Sequence, residues 1–170
     1  MIYQMHIGVI SSERQECINS VKNFYPEVVF ITMDYINKMN QFLGINKTWS
    51  IEKLRDIVIL SDWLRFYLLS QDPEGVWIDT DLKILKKYNP YGLKPIVNCS
   101  DSPEVPDYSW IFCNNNQEYF SNIIKRRTRE QRFGILAQEI GYDLCLIPPE
   151  YFYHHGSGNN RPKSNELHWH

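Results

Sequence analysis

Three consecutive residues, Asp79-Thr80-Asp81, follow a short apolar run, Val76-Trp77-Ile78, which itself follows a turn signal at Asp72-Pro73-Glu74-Gly75. Two carboxylates two residues apart supply hard oxygen ligands of the kind that suit Mg2+ or Mn2+. At the carboxyl end of a parallel strand they would stand in the crevice where open α/β sheets hold ligands. A divalent cation there can join the protein to a diphosphate and neutralise the charge that grows as the diphosphate departs. That is the chemistry a nucleotide-sugar donor needs. Taken alone, Asp-x-Asp reads more readily as a solvated loop after a strand. A phosphatase nucleophile loop also starts from a strand and Asp-x-Asp. It takes Thr or Val two residues after the second Asp, where this chain has Lys83.

The segment before this pair must position it. Ser50 is expected to cap a long helix to about Ser70, with Ile57, Leu60, Leu64 and Leu68 as its core stripe. Trp63, Phe66 and Leu69 fill much of the remaining circumference. Asp62 and Arg65 fall on the face away from the stripe, three residues apart and side by side. Two readings stand at this point. One is a surface ion pair contributing roughly a few tenths of a kcal/mol; the other is a pair of charges bordering a cleft.

Around these residues the pattern alternates. Ile2 to Ile10 reads as a first strand, and Ser12-Glu13-Arg14-Gln15 as a capping box opening a helix to about Phe24. Val28 to Ile31 is a second strand, and Asp34 can cap a helix ending at Gly44. Further strands are expected at Ile84-Leu85, Ile96-Val97, Trp110 to Phe112 and Leu144 to Ile147, with helices at about Gln117 to Arg129 and Phe133 to Ile140. The alternation predicts an α/β fold with a mostly parallel sheet. The stretch from His154 to Asn165, rich in Gly, Ser, Asn and Pro, reads as a mobile loop.

Composition bounds the answer. A chain of 170 residues with 43% hydrophobic content fits one globular domain. Its apolar runs are far shorter than the roughly 20 residues that span a bilayer. Met1 to His6 has no basic flank leading into an apolar stretch, so no signal peptide is expected. The expected location is cytoplasmic, with a peripheral position at a membrane surface as the variant. Cys17, Cys99, Cys113 and Cys145 are scattered and read as free thiols. A net charge of -2 gives no overall basic field.

The run Ser61-Asp62-Trp63-Leu64-Arg65-Phe66-Tyr67-Leu68-Leu69, then Gly75-Val76-Trp77-Ile78-Asp79-Thr80-Asp81, resembles the signature of the sugar-binding Asp-x-Asp glycosyltransferases. These are glycosyltransferase family 32 and the related large clostridial glucosylating toxins. Gln4-Met5-His6-Ile7-Gly8 is similar to their opening strand, with His6 in place of a Trp that lies against the nucleotide base. Pro149-Glu150-Tyr151-Phe152-Tyr153 is similar to a Pro-Pro-x-x-Phe-Tyr segment, and His168-Trp169 to a closing motif that in relatives lies beside the metal.

The resemblance implies a GT-A fold, Rossmann-like, as a minimal single domain over 1–153 with a tail over 154–170. It implies retaining transfer of a hexose from a UDP- or GDP-sugar, with Mn2+ or Mg2+ as cofactor. Asp81 would ligate the metal directly, with Asp79 touching the ribose and the metal shell, and His168 joining them. Asp62 and Arg65 would bind donor-sugar hydroxyls, and Gln4, His6 and Gly8 the nucleotide. The acceptor is a glycan, a lipid-linked saccharide or another hydroxyl. The alternative function is a binding or regulatory module that keeps the donor site without transfer.

Lys125, Arg126, Arg127, Arg129 and Arg132 read first as a solvated helix face, and second as a dock for an anionic acceptor. His154-His155 reads as a loop pair without a metal role. The segment from Gly156 to Asn165 reads either as a frayed end or, since the resemblance places His168 and Trp169 near the metal, as part of a tail that closes over bound donor as a lid.

Overall fold

A computed structural model describes residues 1–42, 54–99, 106–126 and 144–154. Its centre is a six-stranded sheet in the order β2-β1-β3-β6-β5-β7. These strands are β1 (Ile2–Met5), β2 (Val28–Ile31), β3 (Val76–Ile78), β5 (Ile96–Cys99), β6 (Pro106–Phe112) and β7 (Cys145–Ile147). β1 lies parallel to β2 and β3, β5 lies parallel to β7, and β6 runs antiparallel to both of its neighbours. Five strands therefore point one way and only β6 opposes them, so the expected α/β class with a mostly parallel sheet holds.

Side chains alternate across the strands and create two cores. On one face Tyr3, Met5, Ile31, Trp77, Val97 and Ile111 pack against helix α3 (Leu54–Gln71) and helix α4 (Gln117–Arg126). On the other face Val76, Ile78, Ile96, Trp110, Phe112 and Ile147 meet Val21 of helix α1 (Ser12–Phe24) and a two-stranded ribbon. The ribbon is β4 (Leu82–Ile84) paired antiparallel with β8 (Phe152–His154).

The α3 stripe packs as its spacing predicts. Leu60 and Leu64 are buried, as is Leu68, and so are Phe66 and Leu69 between them. The side chain of Ile57 lies outside the described residues. A helix this apolar is covered on most sides, and from Leu60 to Leu69 only Ser61, Asp62, Trp63 and Tyr67 keep partial exposure.

Several expectations are corrected. β1 ends at Met5 rather than Ile10, because Gly8 adopts a positive φ of 105° that no strand tolerates and swings the chain outward. Val9 is left 96% exposed. The cap of α1 is Ser11, whose side chain accepts from Arg14 N, and not Ser12. Helix α2 (Met33–Phe42) starts one residue before Asp34, and its Thr32 hydroxyl accepts from Tyr35 N at 3.4 Å. β6 begins four residues earlier than Trp110. The short turn Pro149–Tyr151 and strand β8 are additions that local pattern does not announce. Ser50, Gly44, the helix at Phe133 to Ile140 and the tail beyond residue 154 lie outside the described residues. Among the described residues, no helix is long and apolar enough to cross a membrane.

β3 is set by the turn before it. Gly75 N donates to Asp72 O at 3.0 Å, and Gly75 O accepts from Cys113 N at 2.8 Å. A Cβ at Gly75 would sit 3.0 Å from Asp72 O and 3.1 Å from Leu69 Cδ2, tighter than most packed contacts, so these neighbours would have to give way. Gly75→Ala is therefore expected to cost about 1–3 kcal/mol by overpacking. Urea unfolding of the variant checks this, and an unchanged midpoint would show that the turn yields freely.

Candidate active site

The connection from β1 to β2 runs through α1 on one face, and the connection from β2 to β3 runs through α2 and α3. α1 and α3 thus pack on opposite faces, and the crevice between the carboxyl ends of β1 and β3 is a topological switch point. A cleft of about 470 Å³ opens there. Met5, His6 and Ile7 come from the end of β1, Asp79, Thr80 and Asp81 from the end of β3, Ser61, Asp62 and Arg65 from α3, and Arg14 from α1. Residues read separately in the sequence, Asp62 with Arg65 and Asp79 with Asp81, meet in this one cleft.

Asp79 is held from three sides. Trp77 Nε1 donates to its Oδ1 at 2.6 Å, and Arg65 Nη2 donates to Oδ1 and Oδ2 at 3.1 and 3.2 Å. Its backbone N–H donates to Ser109 O at 2.7 Å. Its position follows from the strand: Trp77 and Asp79 are two residues apart and so project from the same side of the chain. Burial pushes the Asp79 carboxyl up to about 6, and the negative Asp81 adds to this, against the opposing pull of Arg65 and of the Trp77 bond.

Arg65 is only 9% exposed. Besides Asp79 it reaches Asp62 Oδ1 at 3.5 Å, donates through Nη1 to Tyr108 O, and lies over the Trp77 ring at 5.5 Å. Burial opposes its charge, but Asp79, then Asp62, Asp107 and Asp81 outweigh that and strengthen its hold on its proton. The pair with Asp62 is therefore no isolated surface contact. It is one edge of a buried charge network.

Asp81 is different. Among the described residues it makes no hydrogen bond and no ion pair. β4 begins at Leu82, which pairs with residue 154, so β8 delivers the chain beside Asp81. Among the described residues, no group of three or more His, Cys, Asp or Glu forms a metal cluster. Asp79 and Asp81 both line the cleft, and their carboxylates are oxygen ligands of the type that Mg2+ and Mn2+ take together with waters and substrate oxygens.

Other expected site residues divide. His6 lines the cleft and its Nε2 donates to Val9 O at 3.2 Å. Gly8 shapes the same loop through its positive φ. Gln4 is fully buried and does not line the cleft. It faces α1, opposite Tyr3 and Met5, and its amide atoms find no partner among the described residues. Lys125 and Arg126 are exposed at the end of α4 and do not line the cleft either. His168, Arg127, Arg129, Arg132 and the lid segment lie outside the described residues. Cys17 and Cys113 are buried, which pushes each thiol up to about 11 and leaves neither as a ready nucleophile.

Sequence reasoning missed Arg14 and the hydroxyl of Thr80. Arg14 Nη1 donates to Thr80 Oγ1 at 3.1 Å, across sixty-six positions of sequence. Only the adjacency of β1 and β3 brings them together, and local pattern does not carry that. No protein-family model matches the chain, and no curated protein matches it.

The raised Asp79 carboxyl has a consequence for stability. Its folded pKa of about 6 lies above an unfolded value near ~3.9, so the folded state binds the proton more tightly between those values. The stabilisation is complete below the unfolded value and is lost as pH rises through about 6. In metal-free buffer the protein is expected to gain stability from this group between pH 7 and pH 5, and Asp79→Asn to lack that gain. Urea unfolding at both pH values reads it, and parallel curves for the two proteins would refute the placement.

Proposed function

We propose that this protein is a metal-dependent glycosyltransferase of the GT-A type that transfers a hexose, with retention, from a UDP- or GDP-sugar to a hydroxyl acceptor. The observation that carries the reading is the convergence of Asp62, Arg65, Asp79 and Asp81 on one crevice at the switch point of the sheet. The sequence resemblance assigns these same four positions to the donor, and nothing in local sequence required them to meet.

Each residue has a chemical task in this reading. Asp81, which makes no ion pair among the described residues, offers the primary carboxylate to Mn2+ or Mg2+. When bound, such an ion supplies positive charge to the departing diphosphate. Asp79 is already fixed by Trp77 and Arg65, so its remaining lone pairs are presented in one orientation rather than searching for one. That preorganisation removes a cost that a mobile carboxylate would bear. Asp62, with a side chain 30% exposed at the rim, is the carboxylate best able to accept from a sugar hydroxyl. Arg65 acts chiefly by holding Asp62 and Asp79 in place. The single-domain boundaries, 1–153 with a tail, belong to the same reading.

Titration calorimetry with UDP and GDP in the presence of Mn2+ tests the assignment. The wild-type chain is expected to bind one of them, and Asp81→Asn to weaken that binding at least about tenfold with its melting temperature kept, since a carboxylate–cation contact is lost. Equal affinity for the variant would remove Asp81 from the metal site. Release of free sugar from the donor separates an enzyme from a pure binder.

Asp62→Asn should discriminate between ligands. It is expected to weaken the nucleotide-sugar about tenfold and the bare nucleotide little, because one hydrogen bond to a charged group contributes about 1.5–3 kcal/mol. Equal losses for the two ligands would deny it a sugar contact. Arg65→Ala is the poorer test: it strands Asp79 without its cation, which costs about 3–5 kcal/mol of stability.

A further inference from the structure

The two walls of the cleft are unlike. On the α3 side Arg65 lies between Asp62 of its own helix and Asp79 at the end of β3, so its cation is already shared between carboxylates. The α1 wall carries Arg14 in the first turn of its helix. Among the described residues Arg14 has no carboxylate partner, and its one side-chain hydrogen bond is to the buried hydroxyl of Thr80. Thr80 separates Asp79 from Asp81, so the bond ties the guanidinium to the carboxylate loop itself. A guanidinium has five N–H donors and no acceptor, and among the described residues only one donor of Arg14 is used. A half-buried arginine that is anchored, lines a cleft and has no carboxylate partner among the described residues is arranged to receive an anion.

We propose that Arg14 is the anion-recognition residue of this cleft, binding the diphosphate of the donor from the α1 side while the sugar lies toward α3. This rests on the nucleotide-sugar reading for the ligand's name, though not for its charge. Thr80 is the positioning residue, since it fixes the guanidinium without itself meeting the ligand. The arrangement gives the donor a direction: phosphates between Arg14 and Asp81, hydroxyls toward Asp62. Arginine suits the task because its planar fork matches two phosphate oxygens at once, and the lysine ammonium does not.

The test uses the full chain with Mn2+ and three probes in calorimetry: inorganic pyrophosphate, UDP and GDP. Arg14→Gln is expected to weaken pyrophosphate and the bound nucleotide by a common factor of at least about tenfold. Arg14→Lys should recover part of the loss, and Arg14→Gln should show a shallower dependence of affinity on salt. A merely structural role would move the melting temperature and leave the salt dependence alone. Unchanged pyrophosphate affinity in Arg14→Gln overturns the proposal. So does a loss that also appears for uridine or guanosine, which carry no phosphate. If pyrophosphate binds through Arg14 while neither nucleotide binds, the anion site stands and the glycosyltransferase reading fails. If the wild type binds none of the three, both fail.

Discussion

The guanidinium of Arg65 is the contact on which the rest of the site depends. It touches its own helix through Asp62, the end of β3 through Asp79, and β6 through the carbonyl of Tyr108. An unpaired charge at this depth costs several kcal/mol, so the surrounding groups are held to it. The distance between α3 and the sheet is thereby set by hydrogen-bond lengths as well as by the packing of Leu60, Leu64 and Phe66. Orientation of the site and docking of the helix are one event. A substitution that loosens one loosens the other.

Charge balance sets the character of this site. Asp62, Asp79, Asp81 and Asp107 all bear on Arg65, so among the described residues the carboxylates around it outnumber the buried cation. Burial is the first cause of the upward displacement of Asp79, and the neighbouring negative charges of Asp81 and Asp107 add to it. A proton relieves this repulsion, and under the proposed function a divalent ion would do the same and compete with the proton. Arg14 stands apart from this balance on the opposite wall, so the crevice holds separate regions of opposite sign within one small volume.

Much of the framework was legible in the sequence. β3 was bounded by a turn signal and by two carboxylates. The strands at Val28 to Ile31 and Leu144 to Ile147 were marked by apolar runs between breakers, and the second of these is Cys145–Ile147 in the structure. The stripe of α3 was readable because its spacing matches the helical period. What stayed hidden was whatever depends on positive φ or on contacts distant in sequence. Hydrophobicity carried the first strand on to Ile10, since nothing in Ile7-Gly8-Val9-Ile10 but one glycine announces the turn. β8 has three residues and gains its identity only from pairing with β4. The site divided along the same line: the carboxylates and Arg65 sit in one local run, whereas Arg14 and Tyr108 enter through topology.

The ribbon of β4 and β8 also sets an order in time. Leu82, next to Asp81, takes as its partner residue 154, far along the chain. Domains form as they leave the ribosome, and the earlier strands and helices of a chain can associate while later ones are still being made. The parallel pairings of β1 with β2 and β3 lie wholly within residues 2–78. The flank of Asp81 must wait until residue 154 has emerged, and closing so long a loop is slow. The parallel pairs of β1, β2 and β3 can thus be made before the flank of the cleft, which under the proposed function would leave a half-made chain without a finished donor site.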